Sequence, residues 1–175
     1  MEDSFKYAIF ALMIGIAFIY MILTAQFRSF ILPIVIMVAL PLSFVGVFVA
    51  LFLFGSTINM FSIIGIVMLM GLATKNGILL VDFINRQLTE GVDLKEAIVN
   101  AGKVRLRPIV MTTLAMIFGM LPLALSTGES AEVRKPMAYA IIGGMTTSTL
   151  LTLVIVPVIY VYILKLSKVS TKLFK

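Results

Sequence analysis

The sequence predicts an all-α membrane protein, a five-helix transmembrane bundle with a short interfacial cytoplasmic helix. Hydrophobic residues make up 61% of the 175 residues and charged residues 13%, against about 45–50% and about 25% in an ordinary soluble domain. The apolar residues are gathered into five long stretches, each near the roughly 20 residues that a helix needs to cross a bilayer. Lipid is therefore the solvent that this composition requires.

Polar segments separate the five predicted spans. Proline inside the second and fifth spans is compatible with a membrane bundle, because neighbouring helices and local adjustments satisfy the carbonyl groups that it frees. The first stretch has neither the basic start nor the small-residue cleavage site typical of a signal peptide, so it is interpreted as a retained helix. The predicted spans are residues 7–25, 30–54, 59–84, 108–125 and 137–164.

The polar segment between the third and fourth spans contains an amphipathic pattern over residues 93–105. Asp93 and Glu96 resemble a capping box at a helix N-terminus. The residues that share the apolar face are Leu94, Ala97, Ile98 and Ala101. A short helix with one apolar and one charged face is predicted to lie along the cytoplasmic interface.

The distribution of cations predicts the orientation of the bundle. The polar segments predicted on one side of the membrane contain ten cations: Arg28, Arg86, Lys95, Lys103, Arg105, Arg107, Lys165, Lys168, Lys172 and Lys175. The other side collects three, which are Lys6, Arg134 and Lys135. Positive charge gathers on the cytoplasmic side, so we expect a cytoplasmic C-terminus and an external N-terminus.

Composition also limits the chemistry of the chain. The sequence has no histidine and no cysteine, which excludes disulfides, thiolate metal sites, haem ligation by histidine and cysteine nucleophiles within it. We therefore expect no cofactor and no metal. The net charge of +6 is explained by cations at helix ends, so it predicts no nucleic-acid partner. An intramembrane enzyme is disfavoured, because the spans hold no deep pair of carboxylates.

Lys75 is the most informative residue of the sequence. It lies about ten residues from the cytoplasmic end of the third span, near the middle of the bilayer. A lysine there costs roughly 2.5–3.5 kcal/mol on insertion scales, and intramembrane charges of this kind usually mark ion or proton pathways. The alternative is a structural lysine that is satisfied by carbonyl groups or by a single carboxylate.

Asp82 lies on nearly the same helical face as Lys75 but about 10.5 Å along the axis, which is too far for a direct ion pair. Its place near the cytoplasmic interface favours an interface residue over a relay residue. No other carboxylate is deep, so Lys75 lacks an acidic partner in this sequence. Its partner is expected from a missing segment or from another subunit.

Other polar residues near Lys75 have plainer interpretations. Asn76 favours an interhelical hydrogen bond. Burying Thr112 and Thr113 at this depth costs little free energy, because each hydroxyl can donate to a carbonyl one turn back. By themselves these two threonines are more typical of helix packing than of a relay. Arg105, at the mouth of the fourth span, is typical of anchoring on the positive side.

Several stretches resemble transporters of the resistance-nodulation-division (RND) family, in the order in which that family carries them. Residues 71–83 (GLATKNGILLVDF) resemble its tenth helix, and residues 105–113 (RLRPIVMTT) resemble the start of its eleventh. Residues 143–148 (GGMTTS), with the VPV of residues 156–158, resemble its twelfth. Residues 25–29 (AQFRS), with Pro33 and Pro41 beyond them, resemble the turn between its eighth and ninth helices. The likeness is greatest to the hydrophobe/amphiphile drug-efflux branch.

The resemblance implies a proton relay made of two aspartates on the fourth helix, a lysine on the tenth, and an arginine and a threonine on the eleventh. The last three fall on Lys75, Arg105 and Thr112, and Asn76 and Asp82 rank behind them. The aspartates, the periplasmic domains and the first half of the family have no counterpart here. The chain is therefore expected to be a C-terminal fragment, the last five of twelve helices, which is inactive on its own.

The whole protein implied by the resemblance is a trimeric proton antiporter of the inner membrane that exports amphiphilic substrates. Its expected partners are the remainder of the transporter, a periplasmic adaptor, an outer-membrane channel and the lipid bilayer. Two alternatives stay open. One is a membrane scaffold or assembly subunit that does not transport, and the other is an RND branch that exports lipids or metal ions.

Overall fold

The computed structural model describes the backbone of residues 2–173 and the side chains of residues 6–128 and 130–163. The described backbone is folded into six α-helices, with no strand among these residues. They are α1 (Glu2–Phe27), α2 (Leu32–Met37), α3 (Ala39–Leu53), α4 (Met60–Thr89), α5 (Leu94–Ala124) and α6 (Glu129–Leu173). Five stretches are long and apolar enough to cross a membrane, with α2 and α3 forming one of them. The predicted all-α bundle of five spans is confirmed.

The second span contains a local break at Val38, between α2 and α3. Pro41 has no N–H group, so it cannot donate to the carbonyl of Met37 one turn earlier. The backbone at Val38 nevertheless stays in the right-handed helical region, and its N–H donates to the Ile34 carbonyl at 3.1 Å. The chain therefore crosses as a single span over Leu32–Leu53.

Both ends of α4 are fixed by local hydrogen bonds. At its start, the Asn59 side chain accepts from the Ser62 N–H, and the Ser62 hydroxyl accepts from the Asn59 N–H, each at 2.9 Å. At its end, Gly91 has a φ of 85°, a left-handed conformation that glycine adopts without a Cβ penalty. The Gly91 N–H then donates to Leu88 and the Val92 N–H to Gln87, which is a Schellman motif. These caps set the length of the helix that carries Lys75.

The amphipathic segment and the fourth span form one helix. The sequence separated residues 93–105 from residues 108–125, whereas α5 runs without a break over Leu94–Ala124, with Pro108 inside it. Asp93 caps its start by accepting from the Lys95 N–H at 3.2 Å. Ala97 and Ala101 are fully buried in one hydrophobic cluster with Val156 and Tyr160 of α6. Two residues of the predicted apolar face, Ala97 and Ala101, thus pack on protein, and the helix continues through the predicted boundary.

Helix α6 lies at the centre of the described bundle and packs against α3, α4 and α5. Small residues allow its close approach to α3. A Cβ added at Gly46 would stand 2.5 Å from the Gly143 carbonyl oxygen, and one added at Gly143 would stand 2.3 Å from the Ala50 Cβ. Glycines of this kind let two membrane helices come into backbone contact. By contrast, Ala8 and Leu23 are the buried residues among the described side chains of α1, which lies at the edge.

Candidate functional site: polar residues in the middle of the bundle

Three buried polar side chains, from three different helices, meet at the middle of the bundle. The Asn76 side-chain amide on α4 donates to the Thr149 hydroxyl on α6 at 3.3 Å. The same Thr149 oxygen lies 2.9 Å from the Thr113 hydroxyl on α5, where either group can donate. Each of the three residues is at least 95% buried. We call this set the Asn76–Thr149–Thr113 cluster.

Lys75 and Thr112 are the sequence neighbours of two members of the cluster. Since Asn76 and Thr113 reach the same oxygen, Lys75 and Thr112 lie at about the same depth, within a residue step or so along each helix. Both are exposed on the described chain. The structure therefore places these two predicted relay residues at the same depth in the bundle, and no described helix covers either side chain.

The Lys75 ammonium has no ion pair and no hydrogen bond among the described side chains. The Thr112 hydroxyl, in contrast, donates to the Ile109 carbonyl of its own helix at 3.0 Å. This is the bond to a carbonyl one turn back that the sequence predicted, and it satisfies the hydroxyl without another helix. Of the two side chains, Lys75 is the one without a hydrogen-bond or ion-pair partner in the described part of the chain.

Arg105 is held at a different level, next to Phe83. Its guanidinium carbon lies 5.1 Å from the centre of the Phe83 ring, within the distance at which a cation is attracted to an aromatic face. Phe83 lies about 12 Å along α4 from Lys75, and Arg105 about 10.5 Å along α5 from Thr112. The buried Nε atom of Arg105 has no hydrogen-bond partner in the described structure. The structure therefore does not bring Arg105 to Lys75 directly.

Asp82 is engaged on its own helix. Its carboxylate lies 3.3 Å from the Nε atom of Arg86, one turn later, and the two side chains are 37% and 73% exposed. This pairing supports the interpretation of Asp82 as an interface residue. Asn76 makes the interhelical hydrogen bond that the sequence favoured for it.

Sequence reasoning missed Thr149 and Phe83, and it did not distinguish Thr113 from Thr112. Thr149 belongs to the polar run of residues 146–149, in which Thr146 and Thr147 donate to carbonyls of their own helix. A polar run in an apolar span was the available signal, but it did not tell which hydroxyl bonds across helices. That choice depends on the rotation of α6 against its neighbours.

No group of three or more carboxylate, histidine or cysteine side chains comes together among the described residues. Five surface cavities, of about 360 to 420 Å³, lie near helix ends. The Asn76–Thr149–Thr113 cluster lines none of these five.

Five helices that are long and apolar enough to cross a membrane, with an exposed lysine midway along α4, define a multi-pass membrane protein. Residues 1–164 match the sequence profile of the AcrB/AcrD/AcrF family, and the chain belongs to that family. The predicted RND resemblance is confirmed.

Two curated relatives are the multidrug resistance protein MdtC of Yersinia pseudotuberculosis serotype O:1b (strain IP 31758) and that of Yersinia pestis bv. Antiqua (strain Angola). Each is 41% identical over 162 residues, which cover 92% of this chain and 16% of the relative. Among solved structures, a heavy metal efflux pump in crystal form II matches with a TM-score of 0.78 and 35% identity, over 86% of this chain and 15% of the pump. Its crystal form I matches with a TM-score of 0.68 and 38% identity, over 75% and 14%. The chain thus spans about a sixth of the length of these relatives.

Proposed function

We propose that this chain is the C-terminal membrane part of a proton-driven multidrug efflux transporter, in which Lys75 is the central residue of the proton relay. The observation that carries the proposal is the position of Lys75, which is exposed at middle depth and has no partner among the described side chains. An ammonium group left in hydrocarbon is costly. The exposed side of the bundle at Lys75 therefore requires a further helix that carries negative charge. On its own the chain is inactive.

The relay that we propose uses three residues of this chain and two aspartates of the remaining helices. When both aspartates are charged, they attract Lys75. Protonation weakens that attraction, so the lysine side chain swings away and its helix shifts against its neighbours, a change between two packings of the kind that drives transport. Arg105 and Thr112 line the path from this point towards the cytoplasm, whereas Asn76 and Asp82 have supporting roles.

The assembly proposed for the whole protein follows from the family resemblance. It is a homotrimer in the inner membrane, with the C-terminus in the cytoplasm, and it joins a periplasmic adaptor and an outer-membrane channel. A multidrug substrate is supported by the name of the MdtC relatives. The solved relatives are described as heavy metal efflux pumps, so a metal-exporting branch is the second candidate. A scaffold that does not transport is the third.

The test uses the complete transporter that contains this segment, reconstituted in vesicles with an imposed proton gradient. We expect Lys75→Ala to abolish substrate export while the protein inserts at the parental level. Lys103→Ala is the matched control, since Lys103 is exposed near the start of α5, and it is expected to export at the parental rate. Parental export by Lys75→Ala would favour the scaffold and make Lys75 structural.

A further inference from the structure

We propose that Thr149 is a positioning residue for transport, which fixes the rotation of α4 and α5 so that Lys75 and Thr112 face the same uncovered side of the bundle. The inference rests on the proposed function, since it concerns the relay residues. It adds to that function a residue on a third helix, α6, which touches neither proton nor substrate.

The first step of the argument is the geometry of the Thr149 hydroxyl. A hydroxyl group has one proton and two lone pairs. The Asn76 amide donates to one lone pair of the Thr149 oxygen, which leaves the second lone pair and the proton of Thr149 for the Thr113 hydroxyl at 2.9 Å, where either group can donate. One side chain thus joins α4 and α5 through α6.

The second step is that this bonding is particular to Thr149. Thr147, two residues earlier on α6, donates to the Gly143 carbonyl of its own helix at 2.6 Å. Thr152, one turn later, is 1% exposed, and its hydroxyl has no partner in the described structure. Three threonines within two turns of one helix therefore have three different environments, and Thr149 alone of these three bonds to other helices.

The third step is the effect on the neighbouring residues. Successive residues of a helix point about 100° apart, so pinning Asn76 inward fixes the direction of Lys75. The same holds for Thr113 and Thr112. Without the Thr149 hydroxyl, α4 and α5 lose the hydrogen bonds that fix their rotation on α6, and the lysine meets its partner charge less often in the required direction. We expect the rate of the transport cycle to fall and the affinity for substrate to stay unchanged.

The experiment compares three variants of the complete transporter that contains this segment. Thr149→Val keeps the shape and removes the hydroxyl, Thr149→Ser keeps the hydroxyl, and Thr152→Val removes an unpartnered hydroxyl from the same helix. We expect Thr149→Val to lower the maximal export rate by about tenfold, since two interhelical hydrogen bonds are lost together. The half-saturating substrate concentration is expected to stay unchanged. Thr149→Ser should restore at least half of the rate, and Thr152→Val should match the parent.

A second measurement tests the hydrogen bond itself in the 175-residue chain. Reversible unfolding in mixed micelles is measured for Asn76→Ala, for Thr149→Val and for the double variant. We expect the double variant to lose less stability than the two single variants together, because the two residues share one interaction. Additive losses would show that the hydrogen bond between Asn76 and Thr149 does not contribute to stability.

The outcomes separate this inference from the function on which it rests. If Lys75→Ala exports at the parental rate, the proposed function fails. If Lys75→Ala abolishes export but Thr149→Val matches the parent, the positioning role alone is refuted. It is refuted equally if Thr152→Val loses as much rate as Thr149→Val, or if serine does not rescue, because the hydroxyl is then not the group that matters.

Discussion

Arg105 lies across the ring of Phe83, with its guanidinium carbon 5.1 Å from the ring centre. The contact joins α5 to α4 about two helical turns from Lys75, on the way to the end of α4 that is predicted to be cytoplasmic. A cation over an aromatic face is worth about 0.5–2 kcal/mol, depending on how far it is shielded from water. Phe83 therefore holds in place an arginine that is proposed to belong to the relay.

Replacing Phe83 is the first test of this contact. In the complete transporter, we expect Phe83→Leu to lower the proton-driven export rate by about threefold to tenfold, because Arg105 loses its aromatic partner. Phe83→Tyr retains the ring and should stay near the parental rate. Phe118→Leu, at an exposed phenylalanine of α5, is the matched control. Equal rates for Phe83→Leu and the parent would show that Arg105 is positioned by other groups.

Asp82 is predicted to tolerate neutralisation. Asp82→Asn removes a partly exposed ion pair with Arg86, and pairs of this kind contribute about 0–1 kcal/mol. Export by the complete transporter is expected to stay within about twofold of the parent, in contrast to the loss expected for Lys75→Ala. A loss as large as that of Lys75→Ala would move Asp82 into the relay.

The close contact between α3 and α6 predicts a steric effect on stability. Gly46→Ala places a methyl group 1.5 Å from the Thr147 hydroxyl and 2.5 Å from the Gly143 carbonyl oxygen. Since a backbone atom cannot rotate away, the helices must separate, at a cost of about 1–3 kcal/mol. Gly15→Ala meets no atom within 4 Å and serves as the control. Reversible unfolding in mixed micelles measures both, and equal stability of the two variants would contradict the packing.

The cation distribution predicts that the two ends of the bundle label from opposite sides. Single cysteines at Ser130 and at Lys95, which are both exposed, are treated in intact spheroplasts with an impermeant thiol reagent. Ser130→Cys should react at once, and Lys95→Cys only after the membrane is permeabilised. Reaction of both before permeabilisation would refute the orientation.

The chain by itself is predicted to export nothing. Expressed in a host that lacks its own efflux pumps, it should leave the accumulation of a fluorescent dye unchanged, because Lys75 has no acidic partner among the described side chains. The matched control is the same host carrying a complete transporter with this segment. Lower dye accumulation with the chain alone would overturn the proposal that it needs further helices.

The sequence by itself determined that the chain forms five spans. An unsatisfied backbone group in hydrocarbon is so costly that long apolar stretches must form helices. The five apolar stretches of the sequence therefore correspond to five long helices, although the structure begins the fourth at Leu94 and the fifth at Ser130. The deep lysine was equally evident, because its cost depends on depth and depth follows from position along the span. The family was recognisable from short motifs around Lys75 and Arg105.

Tertiary structure alone decided which neighbouring polar residues face inward. Asn76 and Thr113 are buried, whereas Lys75 and Thr112 are exposed, and nothing local distinguishes the two threonines. The rotation of each helix depends on its contacts with neighbouring helices, such as the hydrogen bonds of Thr149 to Asn76 and Thr113. For the same reason the sequence placed a boundary inside α5, since the burial of Ala97 against α6 is a long-range contact that periodicity does not record.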